Sequence, residues 1–155
     1  MKMSLRAISA LALFALTSVL SAAPAWFDLG YIASNQSIDI DIDGGIDSQR
    51  FTDGYWHLYD DNEQVVAQGY FYTNYSGTEY VYAYGSGDLE GASVSTSCAN
   101  NWGIATISGL DGGYYHLRLD SAAQDGTSTT QDSTTGSAGW WDSYLGSVVM
   151  SYSIY

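Results

Sequence analysis

Three aspartates alternate with isoleucines in the stretch DIDIDG at residues 39–44. This order matches the opening of an EF-hand loop, and Asp47 stands at the ninth position of such a loop. Calcium takes roughly six to eight oxygen ligands, and carboxylates at alternate positions can supply several of them. The twelfth position, however, is Arg50 in place of the usual bidentate glutamate. The stretch predicts either the solvated acidic face of a strand or a calcium site whose candidate ligands are Asp39, Asp41, Asp43 and Asp47.

Tyrosines occupy alternate positions in two neighbouring stretches, residues 70–72 and 80–84. Alternate side chains of a strand share one face, so each stretch predicts a row of rings. Such a row can stack on sugar rings, cover a protein partner, or fill the core of a sandwich, because tyrosine has an apolar body and a polar tip. Two tryptophans that follow a polar segment are predicted to be exposed contacts. The candidate ligand-binding residues are therefore Tyr80, Tyr82, Tyr84, Trp140 and Trp141.

Motifs of the common enzymes are missing from the chain. The sequence has no G-x-S-x-G, no H-E-x-x-H and no glycine-rich phosphate loop. Its only histidines are His57 and His116, and its only cysteine is Cys98. Cys98 with His116 would make a nucleophile and a base, but nothing except their presence supports the pair. We therefore expect no catalytic residues, with a small secreted hydrolase as the alternative.

The elements that position these side chains are predicted to be strands. Apolar and polar residues alternate with a period of two, and turn residues separate the runs. Hairpins are expected across Asp60–Glu63 and across Gly109–Gly112. Residues 121–139 hold no large apolar side chain and are predicted to form a flexible loop. The predicted strands cover residues 38–43, 55–59, 64–71, 78–84, 92–97, 102–108, 113–120 and 145–155.

This succession of strands predicts an all-β fold, an antiparallel β-sandwich of Greek-key or jelly-roll-like connectivity. A last strand that returns to the sheet after a long loop is typical of a Greek key. With 155 residues, the chain has the length of a single domain.

The first residues predict export. Residues 1–25 read as a cleaved secretory signal, with Lys2 and Arg6 before an apolar run at residues 11–20 and small residues at Ala23 and Ala25. The secreted domain would then span residues 26–155, with no later stretch apolar enough to form a transmembrane helix. We expect the protein to be extracellular or periplasmic, where Cys98 is either a small buried residue or a cross-link to another chain.

The charge balance excludes some partners. Four Lys and Arg residues stand against seventeen Asp and Glu, for a formal net charge of −13. Nucleic acids bind largely through basic residues on phosphates, so we expect no nucleic-acid partner.

Between about residues 35 and 120 the chain resembles the bacterial pre-peptidase C-terminal family, small β-sandwich modules of secreted proteins. The resemblance rests on three segments, NQSIDIDIDG (35–44), FTDGYWHLYDDNEQVVAQG (51–69) and ISGLDGGYYHLRL (107–119). It implies a non-catalytic sandwich, with calcium as the one cofactor to be considered. The sequence departs from the family's pattern at residues 70–97 and after residue 121.

Together these features predict an exported, non-catalytic surface module that contacts a glycan or a protein through aromatic residues, with calcium as a candidate stabilising ion. The alternative is a structural subunit that self-assembles through strand edges into a filament or matrix, since strands without proline permit edge pairing.

Overall fold

The computed structural model describes residues 23–43, 53–75, 79–89, 91–99, 102–122, 130–142 and 146–155. Within these ranges, side chains are described except at positions 73–75, 79, 80, 130, 141, 142, 146 and 147. The described chain folds into eleven strands: β1 (Ala25–Ile32), β2 (Ile38–Asp43), β3 (Gly54–Asp60), β4 (Val65–Tyr75), β5 (Glu79–Gly87), β6 (Ser93–Ala99), β7 (Trp102–Ser108), β8 (Gly113–Ser121), β9 (Thr130–Asp132), β10 (Ser137–Asp142) and β11 (Gly146–Ile154). The prediction of an all-β protein is confirmed.

The strands form two antiparallel sheets packed as a sandwich. The first has five strands in the order β1-β8-β3-β4-β5, and the second has six in the order β6-β7-β2-β11-β10-β9. Strands that are distant in sequence are neighbours in both sheets, as when β11 pairs with β2 and β1 with β8. The predicted antiparallel sandwich is therefore the fold of the chain.

A single hydrophobic core lies between the sheets. The central strands contribute alternate residues to it, because the side chains of a strand point to opposite faces. In β2 the isoleucines point inward and the aspartates outward. In β8 the residues Tyr115, Leu117 and Leu119 point inward, as their spacing predicts. The largest fully buried side chains include Trp56, Trp140, Phe71, Leu58 and Met150.

The Trp56 indole occupies the inner face of three strands at once. Trp56 on β3 pairs with Gly69 on β4, which pairs with Gly85 on β5. A Cβ atom at Gly69 would collide with the Trp56 ring and the Tyr84 carbonyl, and one at Gly85 would lie 2.9 Å from the ring. The two glycines therefore leave the space that the indole fills, and Val94 of the opposite sheet lies beside it at Gly85.

Two predictions about connections are wrong. Residues 102–108 and 113–120 do form strands, but they are not a hairpin, since β7 pairs with β2 and β6 while β8 pairs with β1 and β3. The Gly109–Gly112 connection therefore crosses between the sheets. Turn residues and two flanking strands look the same in a sequence whether the strands pair or cross over.

The prediction of a flexible loop at residues 121–139 is also wrong for its second half. Ser121 ends β8, and residues 130–139 contain β9 and the start of β10, which pair with each other. The hairpin turn is held by Asp132, whose Oδ1 accepts the Thr134 N–H at 2.8 Å. Main-chain hydrogen bonds to a neighbouring strand stabilise this segment, although it has few apolar side chains.

The start of the described chain is part of the fold. Ala25 begins β1, is fully buried and pairs with Leu119. The Trp140 indole N–H donates to the Ala23 carbonyl at 3.1 Å, and the Gln131 amide donates to the Trp26 carbonyl at 2.6 Å. Residues 23–26 therefore tie the edge of the first sheet to the second, and a domain boundary at residue 26 would remove the contacts made by Ala23 and Ala25 but keep that of the Trp26 carbonyl.

A chain that starts at Trp26 is expected to be less stable than one that starts at Ala23. The shorter chain leaves the Trp140 N–H without its acceptor and removes a buried alanine, at a cost of about 1–3 kcal/mol. Urea denaturation of the two proteins, followed by tryptophan fluorescence, measures the difference. Equal midpoints and slopes would show that residues 23–25 contribute nothing.

Gly69→Ala is expected to destabilise the fold by about 1–3 kcal/mol, because the added methyl group must displace the Trp56 ring or the backbone of β5. Gly113→Ala is the matched control, since a Cβ atom there meets nothing closer than 3.6 Å. Thermal unfolding of both variants checks the prediction. A Gly69→Ala protein as stable as the Gly113→Ala protein would contradict the packing described here.

Candidate functional site: an aromatic face on the five-stranded sheet

The outer face of the five-stranded sheet carries most of the exposed aromatic side chains. They come from all five strands, at the positions that alternate with the buried ones. Eight of these rings are 38–60% exposed. We call this surface the aromatic face; its members are Trp26, Tyr31, Tyr55, Tyr70, Tyr72, Tyr82, Tyr84 and Tyr114.

Three tyrosines form a row across adjacent strands of the aromatic face. Tyr55 on β3 lies opposite Tyr70 on β4, which lies opposite Tyr84 on β5. The ring centroids are 6.4 Å apart in the first pair and 4.9 Å apart in the second, where the rings are stacked. Tyr72 and Tyr82 form a second pair two residues further along, at 6.4 Å. The rings thus make a continuous apolar surface that water reaches.

A polar row lies beside the tyrosine row, two residues further along each of the same three strands. It consists of His57, Gln68 and Ser86, which are in register on β3, β4 and β5. Between the two rows is a groove of about 440 Å³, and the backbones of Gly69 and Gly85 form part of its lining. The groove therefore has one aromatic wall and one wall of hydrogen-bonding groups.

The polar wall is held in place by neighbouring charges. The Gln68 amide donates to Asp88 Oδ2 at 2.7 Å, and the Ser86 hydroxyl donates to Asp88 Oδ1 at 3.3 Å. The Gln68 amide group also has a carbonyl oxygen, which can accept a hydrogen bond, and Gln68 lines the groove.

Burial lowers the pKa of the His57 imidazole, and the Arg118 guanidinium lowers it further, although Asp120 and Asp88 act in the opposite direction. His57 is therefore neutral at neutral pH, with one donor and one acceptor nitrogen. Its buried Nδ1 makes no hydrogen bond to any described residue.

Arg118 supports the centre of the aromatic face. Its Nη2 donates to Asp120 Oδ2 at 2.6 Å, and its guanidinium carbon lies 5.8 Å from the centre of the Trp26 ring. Trp26 lies opposite Arg118 on the neighbouring strand, and Asp120 lies two residues further along β8. The guanidinium therefore connects outward-facing side chains in the middle of the aromatic face. Its charge is matched by Asp120.

The predicted ligand-binding residues are only partly brought together. Tyr82 and Tyr84 lie on the aromatic face, 42% and 49% exposed. Tyr80 is in β5, but its side chain is outside the described residues, as is that of Trp141 in β10. The prediction for Trp140 is wrong, because its side chain is 1% exposed and packs in the core. Its position on β10 faces the other sheet, which the polar segment before it does not reveal.

The sequence pattern indicates the tyrosine rows at residues 70–72 and 82–84, which make up half of the aromatic face, and does not indicate the other half. Trp26, Tyr31 and Tyr114 were not singled out, and Tyr55 was assigned to a strand without a role. The sequence does carry one signal for this surface. In residues 54–58 of β3, 67–71 of β4 and 81–85 of β5, aromatic or polar residues alternate with glycine or apolar residues. Only the sheet order shows that these outward positions form one surface.

The three aspartates of β2 lie on the outer face of the six-stranded sheet, not in a loop. Asp39 Oδ1 accepts the Thr106 hydroxyl at 2.6 Å and the Tyr155 hydroxyl at 3.1 Å. On an extended strand, alternate carboxylates stand about 7 Å apart, too far to converge on one calcium ion. Asp47 lies outside the described residues. No group of three or more potential ligands is found within the described part of the chain. These aspartates therefore do not fit an EF-hand site.

The cysteine and histidine considered as a reactive pair are on different sheets. Cys98 is exposed on β6, at the edge of the six-stranded sheet, while His116 is on β8 in the five-stranded sheet. They therefore form no common site.

Comparisons with family models, with curated proteins and with solved structures find no match to this chain. The resemblance to the pre-peptidase C-terminal family stays a prediction. None of the described segments forms a helix of the length and apolarity needed to cross a bilayer.

Asp41→Asn is expected to stabilise the protein slightly at neutral pH. Burial raises the pKa of Asp41 above its ordinary value of 3.8, and the neighbouring Asp39 raises it further. The fold thus favours the protonated carboxyl, whose stabilising effect is complete below the unfolded-state pKa and is lost as the pH rises through the folded-state pKa. Since Asp41 is only partly buried, solvent screens its charge and the gain is about a few tenths of a kcal/mol.

The measurement is urea denaturation at neutral and at acidic pH, with and without calcium, and Asp43→Asn is the control on the same strand face. The advantage of Asp41→Asn should vanish at acidic pH. A calcium-dependent stabilisation that Asp41→Asn abolishes would contradict the conclusion that the carboxylates of β2 stand too far apart to share one calcium ion.

Proposed function

We propose that this protein is an exported, non-catalytic module that binds a glycan on its aromatic face. The observation that carries the proposal is the groove between the tyrosine row and the polar row. Partly exposed tyrosine rings, two of which stack on each other, line one wall, and neutral hydrogen-bonding side chains line the other. A sugar ring has the matching surfaces, an apolar C–H face and a rim of hydroxyl groups.

The aromatic face exposes a large apolar area to water. An unpartnered aromatic surface of eight rings is costly in water, and exposed apolar patches of this kind mark binding sites. Tyrosine and tryptophan supply such area together with a polar group. His57, Gln68 and Ser86 can then orient a ligand through donors and acceptors.

The choice of a glycan over a protein partner rests on the shape and polarity of the groove. Protein interfaces usually have an apolar centre surrounded by a polar rim. Here the polar wall runs beside the tyrosine row through the middle of the sheet, and Arg118 on β8 continues it in register with His57. A ligand that alternates apolar faces with hydroxyls fits both rows, whereas an apolar protein surface would leave the polar row without partners.

Tyr84→Ala is expected to weaken glycan binding at least about fivefold, because truncating an aromatic anchor typically costs more than about 1 kcal/mol. Tyr84→Phe should retain most of the affinity, since the stacked ring remains. The measurement is affinity electrophoresis against a panel of soluble polysaccharides, followed by calorimetry on those that retard the protein.

Tyr155→Ala is the matched control, because Tyr155 is 61% exposed but follows β11 of the other sheet. It should bind as the unmodified protein does. Absence of binding to every polysaccharide, or equal weakening by Tyr84→Ala and Tyr155→Ala, would refute the proposal.

A further inference from the structure

A second cavity lies on the same sheet face, at the end of β3. It has a volume of about 490 Å³ and adjoins the turn between β3 and β4. Its walls come from strands β1, β3 and β8 together with that turn. The lining residues are Trp26, Tyr59, Asp60, Asp61, Glu63 and His116. The cavity thus combines aromatic rings with carboxylates, a different composition from the tyrosine groove.

Two aromatic rings form one side of this cavity. The Trp26 and Tyr59 centroids are 5.4 Å apart, with the ring planes inclined at 37°. The Arg118 guanidinium lies 5.8 Å from the centre of the Trp26 ring, so this indole already interacts with one cation. The faces of tryptophan and tyrosine attract cations, and both rings line the cavity.

Carboxylates form the other side. The turn fixes Asp60, whose Oδ1 accepts the backbone N–H groups of Asn62 and Gln64 at 2.9 and 2.8 Å. Glu63 has a left-handed backbone, with a φ of 60°. This conformation is uncommon for a residue with a side chain. It sets the direction in which the Glu63 side chain leaves the turn.

Basic groups are scarce around these carboxylates. The described part of the chain holds no Lys and one Arg, which is Arg118. Arg118 is paired with Asp120. Within the cavity lining, the one side chain able to carry a positive charge is His116, which lies 3.9 Å from Asp28. The cavity therefore offers negative charge beside aromatic faces, and it attracts a cation.

We propose that this cavity binds the ammonium group of an amino sugar, so that the glycan held on the aromatic face is one with free amino groups. This inference rests on the proposed glycan binding and names the class of glycan. The outward residues of β3 connect the two places, from Tyr55 in the groove through His57 to Tyr59 at the cavity. Four residues of a strand span about 13 Å, so an oligosaccharide can occupy both.

The same charges disfavour acidic glycans. A uronic acid or sulfated sugar at the cavity would face the Asp60, Asp61 and Glu63 carboxylates at short range, without a free basic partner among the described residues. An amino sugar places a cation there and still presents an apolar ring face. Each sugar unit of such a polymer carries both an apolar ring face, which fits the tyrosine groove, and an ammonium group, which fits the acidic cavity.

The test compares three oligosaccharides of equal length and the same β-linked backbone, which differ only in the group at the second carbon of each sugar. The probes are the oligomers of glucosamine, N-acetylglucosamine and glucose, titrated by calorimetry at low salt and at a mildly acidic pH. The glucosamine oligomer should bind about fivefold more tightly than the other two. This preference should be lost at high salt.

Variants separate the cavity from the net charge of the protein. Glu63→Gln should reduce the preference for the glucosamine oligomer about threefold, whereas Asp43→Asn, which removes the same charge from the other sheet, should leave it unchanged. Trp26→Leu should reduce the preference without changing the charge, since it removes an aromatic face and keeps an apolar contact. Thermal unfolding confirms that each variant is folded.

The outcomes distinguish this inference from the proposed function. Equal affinities for the three oligomers, all weakened by Tyr84→Ala, would overturn the ammonium site and support glycan binding. If Asp43→Asn reduces the preference for glucosamine as much as Glu63→Gln does, the preference comes from the net charge of the protein, and this result would also overturn the ammonium site. Failure of all three oligomers and of every other polysaccharide to bind would overturn both.

Discussion

The packing of the Trp56 indole against two glycines is the contact on which the site depends. Trp56, Gly69 and Gly85 stand in register on three neighbouring strands, so the ring spreads under β4 and β5 instead of pointing straight into the core. This fills the sandwich beneath these strands. On the outer side of the sheet, the backbones of Gly69 and Gly85 line the groove between the tyrosine row and the polar row. One arrangement thus shapes both the core and the groove.

Charge divides the surface of the protein into regions with different capacities. The carboxylates of β2 are spread along a strand and satisfied in part by hydroxyl donors, as Asp39 is by Thr106 and Tyr155. The carboxylates of the β3–β4 turn instead stand beside aromatic rings. Similar acidic sequences therefore differ in chemistry because of what lies next to them: hydroxyls and solvent in one case, the faces of Trp26 and Tyr59 in the other.

Much of the architecture was predictable from local patterns. Alternation in β2, β8 and β11 predicts both the strands and their buried faces, because one side of each strand is mainly apolar and the other mainly polar. The strand β1 was missed, since its sequence AWFDLGYI follows the predicted leader and mixes a bulge at Gly30 with aromatic residues on both faces. The strands β9 and β10 were missed because backbone pairing, which has no residue signature, stabilises them.

The candidate site was less predictable, for a reason that concerns tyrosine itself. Alternation shows that Tyr82 and Tyr84 share a face, but either face of β5 was a plausible inner one, since tyrosine is common in cores and on surfaces. Trp140 shows the reverse case, in which a polar neighbourhood suggested exposure and the ring is buried.

The amino-acid order alone was enough for the all-β class, the strand periodicity and the acidity, because these are properties of short segments and of composition. Which tyrosines face water, which strands are neighbours, and which carboxylates meet aromatic rings depended on the assembled sheets. Those relations join residues far apart in the chain, such as Trp26 and Tyr59 or Tyr55 and Tyr84. No short segment contains them, because the burial of Trp56 and its neighbours between the sheets decides which side of a strand faces water.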